Sequence, residues 1–186
     1  MGAGLLSRRS LLLTLAGAPW SVRAGPGAPA EVADELPGVR LAGSGRLTSF
    51  GLHIYDARLW VGEGFTAGRF AEHPLALELE YARSLYGRLI AERSLDEIKR
   101  FGDLSDEQGE RWLASMKQAF PDVSRGDRIT GVQRPGESAR FFFNAALRGE
   151  VRDAEFTRRF FAIWLAPQTS QPKLRRSLLG PDKAGA

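Results

Sequence analysis

The chain has 186 residues, 43% hydrophobic and 26% charged, enough for one globular domain with a sizeable core and too apolar for a disordered one. It has no cysteine, which excludes disulfides and thiolate metal sites. The formal net charge is +4, but Arg8, Arg9 and Arg23 fall in an acid-free N-terminal segment, so the rest carries only +1. Those remaining charges are mixed in sign along the chain. They form no concentrated basic stretch of the kind that displaces nucleic-acid counterions.

Residues 1–24 read as an export signal. Arg8-Arg9 precede a short apolar run to Ala18, and Val22-Arg23-Ala24 offers the small residues a signal peptidase selects. The run is shorter than the roughly 20 residues a bilayer span needs. The paired arginines point to the twin-arginine route, with ordinary secretion the alternative. Residues 25–35 read as a spacer, 36–180 as the domain and 181–186 as a tail, and the expected location is periplasmic or secreted.

Val39 to Leu47 reads as a first strand, with Gly43 and Gly45 marking a close approach or a bulge. Thr48 to Val61 then alternates in two phases. Phe50, Leu52 and Ile54 form the first apolar set, and Tyr55, Ala57, Leu59 and Val61 the second. This predicts one long central strand with a bulge near Tyr55–Asp56, because a one-residue slip turns every side chain over. Leu75 to Tyr81 alternates as a third strand.

Helical signals follow. Ser84 is placed to cap a short helix carrying Leu85, Leu89 and Ile90, and Ser94-Leu95-Asp96-Glu97 predicts a second start or a bend. Ser105-Asp106-Glu107-Gln108 opens a helix with Trp112, Leu113, Met116 and Phe120 on one stripe, stopped by Pro121. Strands return at Arg128–Gln133 and Ala139–Phe143, with an extended piece ending at Val151. Asp153 caps a helix with Phe156, Phe160, Ile163 and Trp164 as its core stripe. Pro172 starts the last helix, which ends at Gly180-Pro181. Strands and helices come in runs, which argues an α+β domain: a large antiparallel sheet with helices laid on one face.

The chemistry-bearing residues are few. His53 and His73 lack metal-ligand spacing, so no metal and no cofactor is expected. No GxSxG elbow is present, and Gly43-Ser44-Gly45 lacks the further glycine and helix of a phosphate loop. What remains are arginines and tyrosines near apolar strand ends: Arg40, Arg46, Tyr55, Tyr81, Arg83 and Tyr86. An arginine at the mouth of an apolar pocket takes a carboxylate bidentately, and a tyrosine hydroxyl completes such a set. Arg83 is singled out because it follows an apolar strand and precedes a helix start.

The segments FGLHIYDARLWV (50–61), LELEYAR (77–83), GDRI (126–129) and FFAIWL (160–165) together resemble the bacterial exported chalcone isomerase-like proteins. The resemblance runs from about Leu36 to Gly180. It implies an open-faced sandwich holding an apolar cleft between sheet and helices. Plant-type chalcone isomerases close a phenolic ring with an arginine, a strand threonine, and a tyrosine and asparagine near the first helix. The corresponding catalytic candidates are Arg46 (or Arg40), Thr48 and Tyr86, with Arg93 standing in the asparagine's place. Other superfamily members resemble fatty-acid binders, which implies ligand contacts from Arg83, Tyr86, Tyr55 and Arg46. Three readings follow: binding of a small amphipathic or aromatic ligand such as an acyl carboxylate, an intramolecular lyase, or a non-catalytic envelope interaction protein.

Overall fold

The computed structural model describes residues 27–180, so the expected signal at 1–24 and tail at 181–186 lie outside the described residues. Six strands form one sheet: β1 (Arg40–Ser49), β2 (Leu52–Val61), β3 (Leu75–Tyr81), β4 (Arg128–Arg134), β5 (Ser138–Phe143) and β6 (Ala146–Val151). Their spatial order is their chain order, and every neighbouring pair is antiparallel. The helices are α1 (Ala30–Glu35), α2 (Gly87–Ile98), α3 (Asp106–Ala119), α4 (Ala154–Leu165) and α5 (Pro172–Leu179).

The stretch 48–61 is not one strand. It is a hairpin, with Ser49 paired to Leu52 and a two-residue turn at Phe50-Gly51. Both turn residues have positive φ, 50° and 76°, the backbone of a type I′ turn whose twist matches the flanking strands. The phase change read from the sequence is nonetheless present. Leu47 pairs with Tyr55 and Thr48 with His53, leaving Ile54 as an extra residue beside Tyr55. That bulge turns Tyr55, Ala57, Leu59 and Val61 toward the helices.

Helices α2 to α5 follow from local signals. Tyr86, not Ser84, is the N-cap of α2, and its free Gly87 N–H is taken by the Asp122 side chain at 2.8 Å. No second helix starts at Ser94. The helix runs straight through it, and the Ser94 hydroxyl donates back to the Ile90 carbonyl at 2.8 Å. Ser105 caps α3 by accepting from Gln108 N–H, and Asp153 caps α4 by accepting from Glu155 and Phe156 N–H at 2.9 Å each. The other Asp153 oxygen accepts the Trp112 indole N–H at 2.8 Å, tying α3 to α4.

The core lies between the sheet and α2–α4, where Leu59, Leu75 and Phe141 meet Trp112, Met116, Phe156 and Phe161. The aromatic stripe of α4 is core, as its spacing implied. Helix α5 returns to β1. A Cβ on Gly43 would lie 2.2 Å from the Ser177 carbonyl oxygen, and one on Gly45 2.8 Å from Leu174 Cδ1. These glycines are what lets the helix sit so close.

The far face of the sheet carries a second, smaller apolar cluster of Trp60, Ala76, Val132 and Phe142. It is covered by Val32 of α1, a helix in the segment expected to be a spacer. Charge holds it there. Glu31 is 3% exposed and accepts from Arg128 Nη2 at 3.0 Å and the Thr130 hydroxyl at 2.9 Å. Glu35 pairs with Arg134 at 2.9 Å and with Arg140. Beside them Glu78, 2% exposed, accepts from Arg58 at 2.7 Å and the Trp60 indole at 3.0 Å. Buried carboxylates are tolerated only with such complete pairing.

Candidate functional site

A cavity of about 260 Å³ lies between the sheet and the helical layer. Leu47, Ile54, Tyr55, Leu79, Tyr81 and Ile129 from β1–β4 form its floor. Leu89, Ile90, Arg93, Ser94 and Glu97 of α2 and Phe160, Ile163 and Trp164 of α4 form its roof. Leu85, Phe120, Ser170 and Gln171 complete the wall. The bulge at Ile54 positions the floor, because it lets consecutive residues Ile54 and Tyr55 both reach the space.

The lining is mostly hydrocarbon, with polar groups contributed by a few side chains. The Trp164 indole N–H donates to the Tyr55 hydroxyl at 2.9 Å, and the Tyr55 and Tyr81 rings meet edge to face at 5.8 Å. Burial pushes both tyrosine hydroxyls well above the usual phenol range. For Tyr55 the Trp164 hydrogen bond works against this shift and the nearby Glu97 charge with it. Both are therefore neutral hydroxyls at any physiological pH.

Glu97 and Arg93 supply the charge. The Glu97 side chain is 8% exposed, whereas its i,i−4 partner Arg93 is 69% exposed and reaches in from solvent. Arg100 Nε stands 3.4 Å from the other Glu97 oxygen. Arg93 is the sole cation among the described lining residues, and its bond to Glu97 means that any anionic ligand must compete for it.

Of the residues singled out from the sequence, Tyr55 and Tyr81 line the cavity and pack together. Arg46 is on the outer side of the hairpin, its Nε donating to Asp56 at 2.9 Å, with a side chain 60% exposed. Thr48 and Arg40 are exposed, and Tyr86 is 61% exposed with Arg88 over its ring at 5.8 Å. Arg83 is half-buried just beyond β3 and is not among the lining residues. None of Arg46, Thr48 and Tyr86 is among the residues that line the cavity. Glu97, Ser94 and Trp164 were not singled out as site residues. Ser94 and Glu97 read as a helix start and Trp164 as core; the two α2 residues share a helix face with Ile90, and Trp164 carries no signal beyond its core stripe. No cluster of potential metal ligands occurs among the described residues, and no described helix is long and apolar enough to cross a membrane.

A meander sheet roofed by helices around an apolar cleft is an α+β open-faced sandwich. The sequence profile described as chalcone isomerase-like matches residues 32–180, and the chain belongs to that family. It is 31% identical over 132 residues to an uncharacterized protein of Haemophilus influenzae. That match covers 71% of this chain but only 63% of the relative's length. Among solved structures it is similar to the Arabidopsis thaliana fatty-acid binding protein AtFAP1. The TM-score is 0.61 at 16% identity, over 80% of this chain and 89% of that one, a likeness of fold.

Proposed function

We propose that this is an exported protein that binds a small amphipathic molecule, such as an acyl carboxylate, in the cleft between sheet and helices. The observation that carries the reading is the apolar cavity with its few polar groups, Tyr55, Tyr81, Arg93 and Glu97. The cleft presents hydrocarbon from both layers to solvent, and covering such a surface with an apolar ligand is favourable. A dry cavity of about 150 Å³ already holds benzene, so this one accommodates a single ring or a short chain without rearrangement. The likeness of fold to AtFAP1, a fatty-acid binding protein, supports the same class of ligand. In this reading the chain lies against Leu79, Ile129 and Phe160, and the polar end reaches the tyrosine hydroxyls and Arg93.

Native mass spectrometry of the protein isolated from its own cells tests this, followed by delipidation and titration with a medium-chain fatty acid. The expected result is a retained or re-bound molecule with an apolar chain. Leu79→Phe, which fills the cavity with near-native packing, weakens binding about tenfold or more. A protein that carries no ligand and binds no acyl or aromatic carboxylate overturns the reading.

A further inference from the structure

Phe50 occupies the tip of the β1–β2 hairpin in a way folding does not explain. Its φ is 50°, a region where a bulky residue is a genuine outlier and where hairpin turns favour Asn, Asp or Gly. Its ring is fully exposed, at 102%, so it packs on nothing. A residue that strains the backbone and buries no surface has its use elsewhere.

Its surroundings are of one kind. Ala82 N–H donates to the Ile54 carbonyl at 2.9 Å, and Leu85 pairs with Val123, so the segments before α2 and β4 lie beside the hairpin. They place Leu52, Tyr86 and Leu89, which are 51%, 61% and 43% exposed, at this end of the sheet. Arg83, Arg88 and Arg125 are here too, and none has a carboxylate partner among the described residues. The nearby acids are already engaged. Asp56 holds Arg46 and His53, Asp122 accepts from Gly87 N–H, and Asp127 accepts from Ser124 N–H and the Asn144 amide.

We propose that this end of the sheet docks onto an anionic lipid surface, with Phe50 inserted among the acyl chains and the three arginines on the headgroups. An exposed aromatic at the same end of the sheet as three arginines without carboxylate partners has the composition of an interfacial anchor, and negative headgroups are its charge complement. Leu47, three residues from Phe50 and about 10 Å along the strand, already belongs to the cavity wall. Docking therefore sets the cleft beside the lipid. That consequence rests on the ligand reading, but the docking does not.

Vesicle flotation tests it, using the protein as isolated from its cells so that all variants share the same N-terminus. The wild type is expected to float with phosphatidylglycerol-containing vesicles and to remain behind with pure phosphatidylcholine or at high salt. Phe50→Asn, which suits the left-handed backbone, is expected to keep or raise Tm while binding at least about tenfold more weakly. Changing Arg83, Arg88 and Arg125 together to Gln costs roughly a hundredfold on the anionic vesicles. The proposal is overturned if Phe50→Asn floats like the wild type, or if phosphatidylcholine serves equally well. It also fails if light scattering finds a dimer that Phe50→Asn dissolves, which would make a second copy the occupant. Leu79→Phe separates the two readings. It is expected to float normally, so lost ligand with normal flotation bears on the cleft alone, and lost flotation with retained ligand bears on the docking surface alone.

Discussion

The indole N–H of Trp164 on α4 donates a hydrogen bond to the hydroxyl of Tyr55 on β2, 2.9 Å away, from the roof of the cleft to its floor. This bond joins the sheet to the helical layer where the cavity would otherwise let them drift apart. It also leaves the Tyr55 proton available to a ligand. Removing the hydroxyl in Tyr55→Phe strands a buried N–H, and urea unfolding is expected to show a loss of about 1–3 kcal/mol. Trp164→Phe in the same background restores part of that loss, because both polar partners are then gone.

Glu97 and a ligand carboxylate compete for Arg93. Replacing Glu97 with Gln keeps the shape of the helix and frees the guanidinium. Calorimetric titration with a medium-chain fatty acid should then give an affinity roughly tenfold higher, the size of one released charge-assisted bond. The corresponding alcohol should gain nothing. Equal gains for acid and alcohol would place the polar end away from Arg93.

The two buried tyrosines set the alkaline limit of stability. Their hydroxyls ionise at higher pH in the folded chain than in the unfolded one, where the phenol titrates near 10. The stabilisation is therefore complete below about pH 10 and is lost as pH rises beyond it. In a Tyr86→Phe background all tyrosinate absorbance comes from Tyr55 and Tyr81, and it should rise together with the loss of helical circular dichroism. Tyrosinate forming while the helices persist would contradict the packing of these rings.

Glu31 fastens α1 to the outer face of the sheet through Arg128 and Thr130. Glu31→Ala leaves Arg128 still near Glu78, at 3.6 Å, and partly hydrated, so the cost is expected at about 2 kcal/mol rather than the larger value of a fully buried orphaned charge. Limited proteolysis should show faster cutting between α1 and β1 at Pro37–Val39. A variant as resistant as the wild type would mean that Val32 and the Glu35 pairs with Arg134 and Arg140 hold the helix without Glu31.

The strand pattern of this chain is legible because side-chain character alternates, leucines and aromatics toward the helices and charged residues such as Glu78 and Glu80 between them. Leu75, Leu77 and Leu79 announce β3, and Tyr55, Ala57, Leu59 and Val61 announce the inner half of β2. The hairpin was hidden because its turn carries Phe50, whose apolar side chain extends the alternation through a position where the backbone reverses. Ser94 misled for a related reason, since a hydroxyl that bonds back to Ile90 looks in sequence like a helix start. Helix α1 was read as spacer because a six-residue helix held by Glu31 and Glu35 shows its role only once Arg128, Arg134 and Arg140 come from distant strands to meet it. The tyrosines of the cleft were readable at strand positions. Arg93 entered only through the family resemblance and Glu97 not at all, because their meaning comes from which face of α2 the sheet approaches.

A sheet whose strands pair strictly with their predecessors can be assembled as the chain is threaded out, one hairpin at a time, without waiting for distant partners. Two contacts break that order, the first being α1, which waits for Arg128, Arg134 and Arg140 on β4 and β5. Helix α5, near residue 175, must come back to the first strand, and it can do so only where Gly43 and Gly45 leave a side-chain-free track. The C-terminal helix is thus the clasp on a sheet otherwise built in sequence. A chain stopped before Pro172 would keep its strand pairings yet lose the cover that Leu174, Ser177 and Leu178 give the inner face of β1.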